Sequence, residues 1–205
     1  AATLDQLSGG RLDINVVPGG IQGDFERLGV ESDHSARYSL AEEFIASCRQ
    51  LWQTDKPVMF QGKHVQLNGA ICSPGPVNER PKFYLGGASD RALALAGRQS
   101  DVYLSWIEPV EKMAQHLQKA RAQFEAAGRR ACFGLRTHLV VRDTEAEAWR
   151  AADELLSQAH PSVRRQRQAV FAGTPMVGQQ TQAQQAANHR VGTRLWNGIS
   201  TVRVN

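Results

Sequence analysis

The sequence predicts an α/β fold in which parallel strands alternate with the helices that cover them. The first sign is an alternation of patterns. Short β-branched apolar runs give way to stretches whose apolar residues recur at helical spacing, and the cycle repeats along the chain. The second is punctuation: Pro18-Gly19-Gly20 and Gly86-Gly87 close two of the strand runs, and Gly128 closes a helix. The third is size. The chain has 205 residues, 41% hydrophobic and 21% charged, and a chain of this length buries roughly 70% of its unfolded surface. The order admits a doubly wound open sheet or part of a (β/α)8 barrel. A whole barrel takes about 250 residues and eight strands. Four strands are legible here, so the barrel reading makes the chain a fragment.

Each element has its own signal. Residues 1–10 read as the last turns of a helix, with apolar Ala1, Leu4 and Leu7 and a Gly9-Gly10 stop. Residues 11–17 are a strand. A polar loop follows to about Tyr38 and contains Asp33-His34-x-x-Arg37-Tyr38. The apolar spacing predicts a helix over 40–51, extended by Trp52 and broken at Asp55-Lys56-Pro57. Residues 58–67 resemble a hairpin with Gly62 in the turn. The second strand is 82–85; Ser89 or Asp90 then caps a helix to about Arg98. The third strand is 101–105 and the next helix 109–127. A fourth strand spans 132–141. Thr144 caps the last helix, with Glu147 at capping-box spacing. After Pro161 the chain turns polar and glutamine-rich, above all at 178–188, so short helices and mobile loops are expected there.

Composition narrows the function classes. Cys48, Cys72 and Cys132 are far apart with no CxxC spacing, which argues against a zinc site or a disulfide framework and for reduced cytoplasmic thiols. The net charge of +4 is mild and evenly spread. The basic stretch Arg164-Arg165-x-Arg167 lacks interleaved aromatics, so no nucleic-acid partner is expected. No apolar run reaches about 18 residues, so no membrane span is predicted. The chain lacks an initiator Met and begins on helix turns. It reads as an internal piece of a longer protein, with a processed domain as the alternative.

Several residues are placed for chemistry. Gly86-Gly87-Ala88-Ser89 lies between a strand and a helix, where open amides and the helix dipole favour an anion such as phosphate; the other reading is a plain turn with a serine cap. It is not GxGxxG, so a dinucleotide site is disfavoured. Arg136 and His138 alternate on the fourth strand and so face one side. The arginine offers a fork to sulfonate, carboxylate or phosphate, and the histidine a proton near neutral pH. The competing reading pairs Arg136 with a carboxylate such as Asp13 and buries His138. Asn15 interrupts an apolar strand, which implies a buried partner or a ligand. Trp106 ends the third strand, where its face suits a planar ring or simple packing. His34 and Tyr38 lie within reach of the strand ends, with a solvated loop the plainer reading for His34. His64, His116, His160 and His189 show no ligand spacing and read as surface or hairpin residues.

Taken together, "AATLDQLSGGRLDINVVPGG", "DHSARYSLAEEF", "FQGKHVQLNGA", "KFYLGGASDRALALAG", "DVYLSWIEP", "FGLRTHLVVRDTEAEAW" and "LWNGISTVRV" resemble the flavin-dependent alkanesulfonate monooxygenases of the bacterial luciferase-like superfamily. The resemblance covers nearly the whole chain. It implies a (β/α)8 TIM barrel, of which residues 1–205 hold about four central strands, with roughly 161–205 an insertion and active-site loop region. It implies a two-component system in which a separate NAD(P)H-dependent reductase supplies reduced FMN (FMNH2). O2 and an alkanesulfonate would then give an aldehyde and sulfite. A homo-oligomer is expected. By the same resemblance Gly86, Gly87 and Ser89 match the FMN phosphate loop, Tyr38 a tyrosine near the phosphate, and Trp106 a position beside the flavin. Arg136 and His138 match an active-site Arg-x-His, and Arg203 an arginine on a loop that closes over the site.

The resemblance has departures. Pro18 stands where the family often has Thr, and Val204-Asn205 stands where Gly-Gly usually follows the loop arginine. Other family residues fall outside these 205 positions. Turnover by this piece alone is therefore not expected. A methanesulfonate or dialkyl sulfone monooxygenase, a flavin-binding barrel without turnover, and a phosphate-binding barrel isomerase or aldolase are the alternatives.

Overall fold

Helix α1 (Ala2–Ser8) ends at Gly9, which is left-handed at φ 67°. Its expected apolar face is not the one that packs. Ala2 and Asp5 are buried, whereas Leu4 and Leu7 are exposed. The Asp5 carboxylate accepts from the amides of Leu12 at 3.1 Å and Val77 at 2.8 Å, so a buried charge has its partners. The computed structural model describes residues 1–19, 33–78, 81–158 and 190–196, with positions 25, 27, 29, 162 and 198.

Strand β1 (Asp13–Val16) leads toward helix α2 (His34–Trp52). A hairpin of β2 (Val58–Gln61) and β3 (Gln66–Ala70) follows, antiparallel with Gln61 opposite Gln66. Then come β4 (Lys82–Gly86), α3 (Asp90–Gln99), β5 (Val102–Trp106), α4 (Val110–Ala126), β6 (Phe133–Arg136) and α5 (Glu145–Ser157). A short ribbon of β7 (Arg190–Val191) and β8 (Leu195–Trp196) completes the described elements.

The sheet order is β1-β4-β5-β6. β1 runs parallel to β4, and β4 parallel to β5 with Leu85 opposite Tyr103. The alternation of strand and helix thus follows the sequence pattern. On one face Phe83, Leu85 and Tyr103 pack with Ile45, Trp52, Leu93, Leu95, Ala96 and Phe124. Trp52 stacks on Phe83 at 5.4 Å between centroids. Helices α3 and α4 touch at Gly97, where a Cβ would stand 2.5 Å from the Gln123 carbonyl oxygen, so no other residue fits. Asp101, just before β5, accepts from Arg49 at 2.9 Å and from the Phe83 amide at 2.9 Å.

The chain forms two compact units. One comprises Ala1–Ser105 with Gln115–Gly134, and the other Trp106–Ala114 with Leu135–Asn205. In the second, Arg190 lies over the Trp149 ring at 4.4 Å and pairs with Asp153. Among the described residues no helix is long and apolar enough to cross a membrane. Most of the expected insertion at 161–205, with its glutamine-rich stretch, lies outside them.

Candidate functional site

In the first unit the turn after β4 is built around Gly87. Its φ of 133° is a conformation side chains rarely adopt, and a Cβ there would stand 2.7 Å from Ala92 Cβ and 3.2 Å from Tyr38 Oη. Ser89 caps α3: its Oγ accepts from the Ala92 amide at 3.2 Å. The serine cap of the plain reading is therefore present. The hydroxyl proton remains available to a ligand, because the cap uses only a lone pair.

Tyr38 reaches this turn from a helix and not from a loop. α2 begins at His34, six residues before the expected start, because Asp33 caps it by accepting from the Ala36 amide at 2.6 Å. That hydrogen bond, with further help from the Ser35 amide, Arg91 and Lys63, outweighs desolvation and holds the Asp33 carboxyl below its ordinary value. His34 and Tyr38 are then one turn apart, with rings 4.8 Å apart between centroids. Tyr38 is buried. Tyr38 Oη thus lies at the turn formed by Gly86, Gly87 and Ser89.

In the second unit Arg136, the last residue of β6, lies over the Trp106 ring at 4.3 Å. The Ile107 amide donates to the Arg136 carbonyl at 3.3 Å, tying the two strand ends. One face of Trp106 is therefore covered by a guanidinium. The expected fourth strand is cut short. It stops at Arg136, so the alternation argument does not carry to His138, and both side chains are exposed, not buried. The apolar run 139–141 resembles a strand in sequence, but a strand also needs a partner to pair with. His138 instead lines a cavity of about 370 Å³ with Ile107, Val140, Trp149, Arg194 and Trp196. The Trp196 Nε1 is buried and has no hydrogen-bond partner among the described residues.

Asn15 is exposed, which corrects the expectation of a buried partner. β1 is an outer strand of the sheet, and the Asp13 and Asn15 side of it is the uncovered one. Asp13 accepts instead from Tyr84 Oη at 3.0 Å, and that bond raises the Tyr84 phenol above its usual value. Arg203, His160, His189 and the Arg164-Arg165-x-Arg167 stretch lie outside the described residues. Sequence reasoning missed His116, which meets Tyr103 Oη at 2.5 Å. A lone histidine on a helix carries no spacing signal for such a contact.

The model of the family described as luciferase-like monooxygenase matches residues 1–201. A riboflavin lyase solved with modified FMN and riboflavin is 22% identical with a TM-score of 0.79, over 100% of this chain and 55% of that one. DmoA from Hyphomicrobium sulfonivorans is 26% identical with a TM-score of 0.68, over 78% and 40%. The EDTA monooxygenase of Chelativorans sp. BNC1 is 23% identical with a TM-score of 0.68, over 80% and 47%. The chain thus spans about half the length of these structures. Their likeness to the four-stranded parallel sheet makes the fold class a partial luciferase-like TIM barrel. On a match that runs through nearly all of its residues, the chain belongs to the luciferase-like monooxygenase family.

Proposed function

We propose that the protein is the oxygenating component of a two-component system, acting on alkanesulfonates with reduced FMN from a separate NAD(P)H-dependent reductase. The observation that carries the reading is the Arg136 guanidinium placed over the Trp106 ring. A cation held over an aromatic ring offers a planar fork, which suits an anionic substrate. The riboflavin lyase that the chain resembles was solved with a modified FMN.

The turn after β4 fits a phosphate monoester. Gly87 lets the turn close against Ala92 and Tyr38, α3 starts beside it, and Ser89 and Tyr38 supply hydroxyls. Gly86, Gly87, Ser89 and Tyr38 would hold the phosphate, and the family resemblance assigns Trp106 to the flavin ring. Bound reduced flavin supplies the electrons that activate O2. Arg136 orients the sulfonate and stabilises negative charge as it develops. His138 moves a proton, and the cavity it lines takes the alkyl chain away from water. Arg203 closes over the substrate. Oxygen insertion at the carbon bearing the sulfonate leaves an aldehyde and sulfite. Asn15, exposed on the uncovered face of β1, contributes a polar contact to the cofactor. The working form is a cytoplasmic homo-oligomer.

The test is sulfite release from octanesulfonate with reductase, NADPH and FMN. Arg136→Ala lowers sulfite production by about a hundredfold or more while FMN affinity largely survives. Unchanged production in that variant overturns the role given to Arg136. If the unaltered protein binds FMN yet releases no sulfite from octanesulfonate, methanesulfonate or a dialkyl sulfone, the second reading holds. That reading is a flavin-binding barrel without turnover, and Pro18 and Val204-Asn205 favour it.

A further inference from the structure

We propose that His116 is a positioning residue for the phosphate turn, acting through Tyr103 on the Gly87 peptide. The inference rests on the reading of that turn as a phosphate site. Its basis is a proton count. Tyr103 Oη lies 2.7 Å from the Gly87 carbonyl oxygen, and a carbonyl only accepts. The single phenolic proton is therefore committed to Gly87. Tyr103 Oη also lies 2.5 Å from His116 Nε2. With its proton spent, the phenol oxygen meets the imidazole as acceptor, so Nε2 carries a hydrogen. The chain reads His116 Nε2–H to Tyr103 Oη–H to Gly87 C=O, and its direction is fixed end to end.

The direction matters because of where it ends. In a trans peptide the C=O and the following N–H point opposite ways across one plane. Holding the Gly87 carbonyl toward Tyr103 therefore turns the Ala88 N–H away from Tyr103. A glycine needs such a hold. Its φ of 133° lies where no Cβ restricts rotation, so sterics alone leave the peptide plane loose. The Tyr103 side chain is 1% exposed, so water does not compete for its hydroxyl. In such surroundings successive hydrogen bonds polarise one another, and a donor from His116 strengthens the phenol as a donor to Gly87. His116 comes from α4, 29 positions from Gly87, so a helix remote in sequence braces the turn.

The experiment compares reduced FMN with reduced riboflavin, which lacks the phosphate, by anaerobic equilibrium dialysis. Tyr103→Phe is expected to weaken FMN about fivefold to tenfold, the worth of one net hydrogen bond, and to leave riboflavin affinity nearly unchanged. His116→Leu is expected to weaken FMN in the same way, and His116→Gln, whose amide offers an N–H near the Nε2 position, to restore most of the loss. The double variant Tyr103→Phe with His116→Leu is expected to be no worse than Tyr103→Phe alone. The inference falls if His116→Leu weakens both ligands equally, if glutamine fails to rescue, or if the two losses add. His116 is partly exposed, so its variants carry the test should Tyr103→Phe fail to fold. If the unaltered protein binds FMN no more tightly than riboflavin, the phosphate reading of the turn fails and this inference with it. If the unaltered protein discriminates and the variants discriminate equally well, only the role of His116 and Tyr103 is overturned.

Discussion

Cys48 sits on α2 with its thiol partly buried, and desolvation, with a smaller push from nearby Cys72, drives it up to about 11. The thiolate is the reactive form, so burial removes both access and charge. At pH 8 iodoacetamide is expected to label the exposed Cys132 and to spare Cys48 until the protein unfolds, as peptide mass mapping would show. Prompt labelling of Cys48 in the folded protein contradicts this. Residue types carried the site further than residue environments did. The turn at Gly86, Gly87 and Ser89 was legible because two glycines and a capping serine between a strand and a helix mark such a connection. Tyr38 was legible by resemblance but placed on a loop, because Asp33 lacks a glutamate partner three positions on. A single aspartate accepting from the Ala36 amide proved sufficient to start the helix. Arg136 was found, but its partner was not. Its contact with Trp106 joins two strands, and no local pattern encodes which strands become neighbours.

The β2–β3 hairpin is held to α2 by one side chain. The Glu43 carboxylate accepts from the amides of Lys63 at 3.0 Å, His64 at 2.7 Å and Val65 at 2.9 Å. Partial burial works against the charge, but the three amides outweigh it and hold the Glu43 carboxyl below its ordinary value of 4.5. A depressed folded value means that the ionised group stabilises the fold fully above the unfolded value. That contribution is lost as pH falls through the lower folded one. Hydrogen-exchange protection of amides 63–65 is therefore expected to drop as the solution is acidified below 4.5, and to be low at neutral pH in Glu43→Gln. Protection that is flat across that range contradicts the pinning. The hairpin itself was legible from Gly62 and the apolar runs beside it. Its anchor was not, since Glu43 on a helix is an ordinary surface residue until the loop arrives. The α5 cap shows the opposite case. Thr144 and Glu147 satisfy each other within four residues, so the complete capping box was readable from spacing alone.

The four-stranded sheet has β1 and β6 as its outer strands, and apolar side chains remain uncovered near both. Val17, just past β1, is 67% exposed, and Leu139 and Val141, beyond β6, are 80% and 73% exposed. Outer strands with apolar neighbours favour pairing between chains. Sedimentation velocity is expected to show self-association that grows with concentration, reduced in a Leu139→Lys, Val141→Lys double variant. A monomer at every concentration, or association indifferent to the lysines, contradicts this. At this scale the alternation of strands and helices was written in the periodicity of the chain. Which faces end up covered was not, because that depends on what lies across the sheet. Asn15 shows this: the apolar run around it implied a buried partner or a ligand, and its side chain is exposed.

The stack of Arg136 on Trp106 has an optical consequence. An indole beneath a guanidinium does not emit as one whose neighbour has departed. Any anion that draws Arg136 off the ring thus writes its arrival into the natural emission of the protein, and no dye is needed to read it.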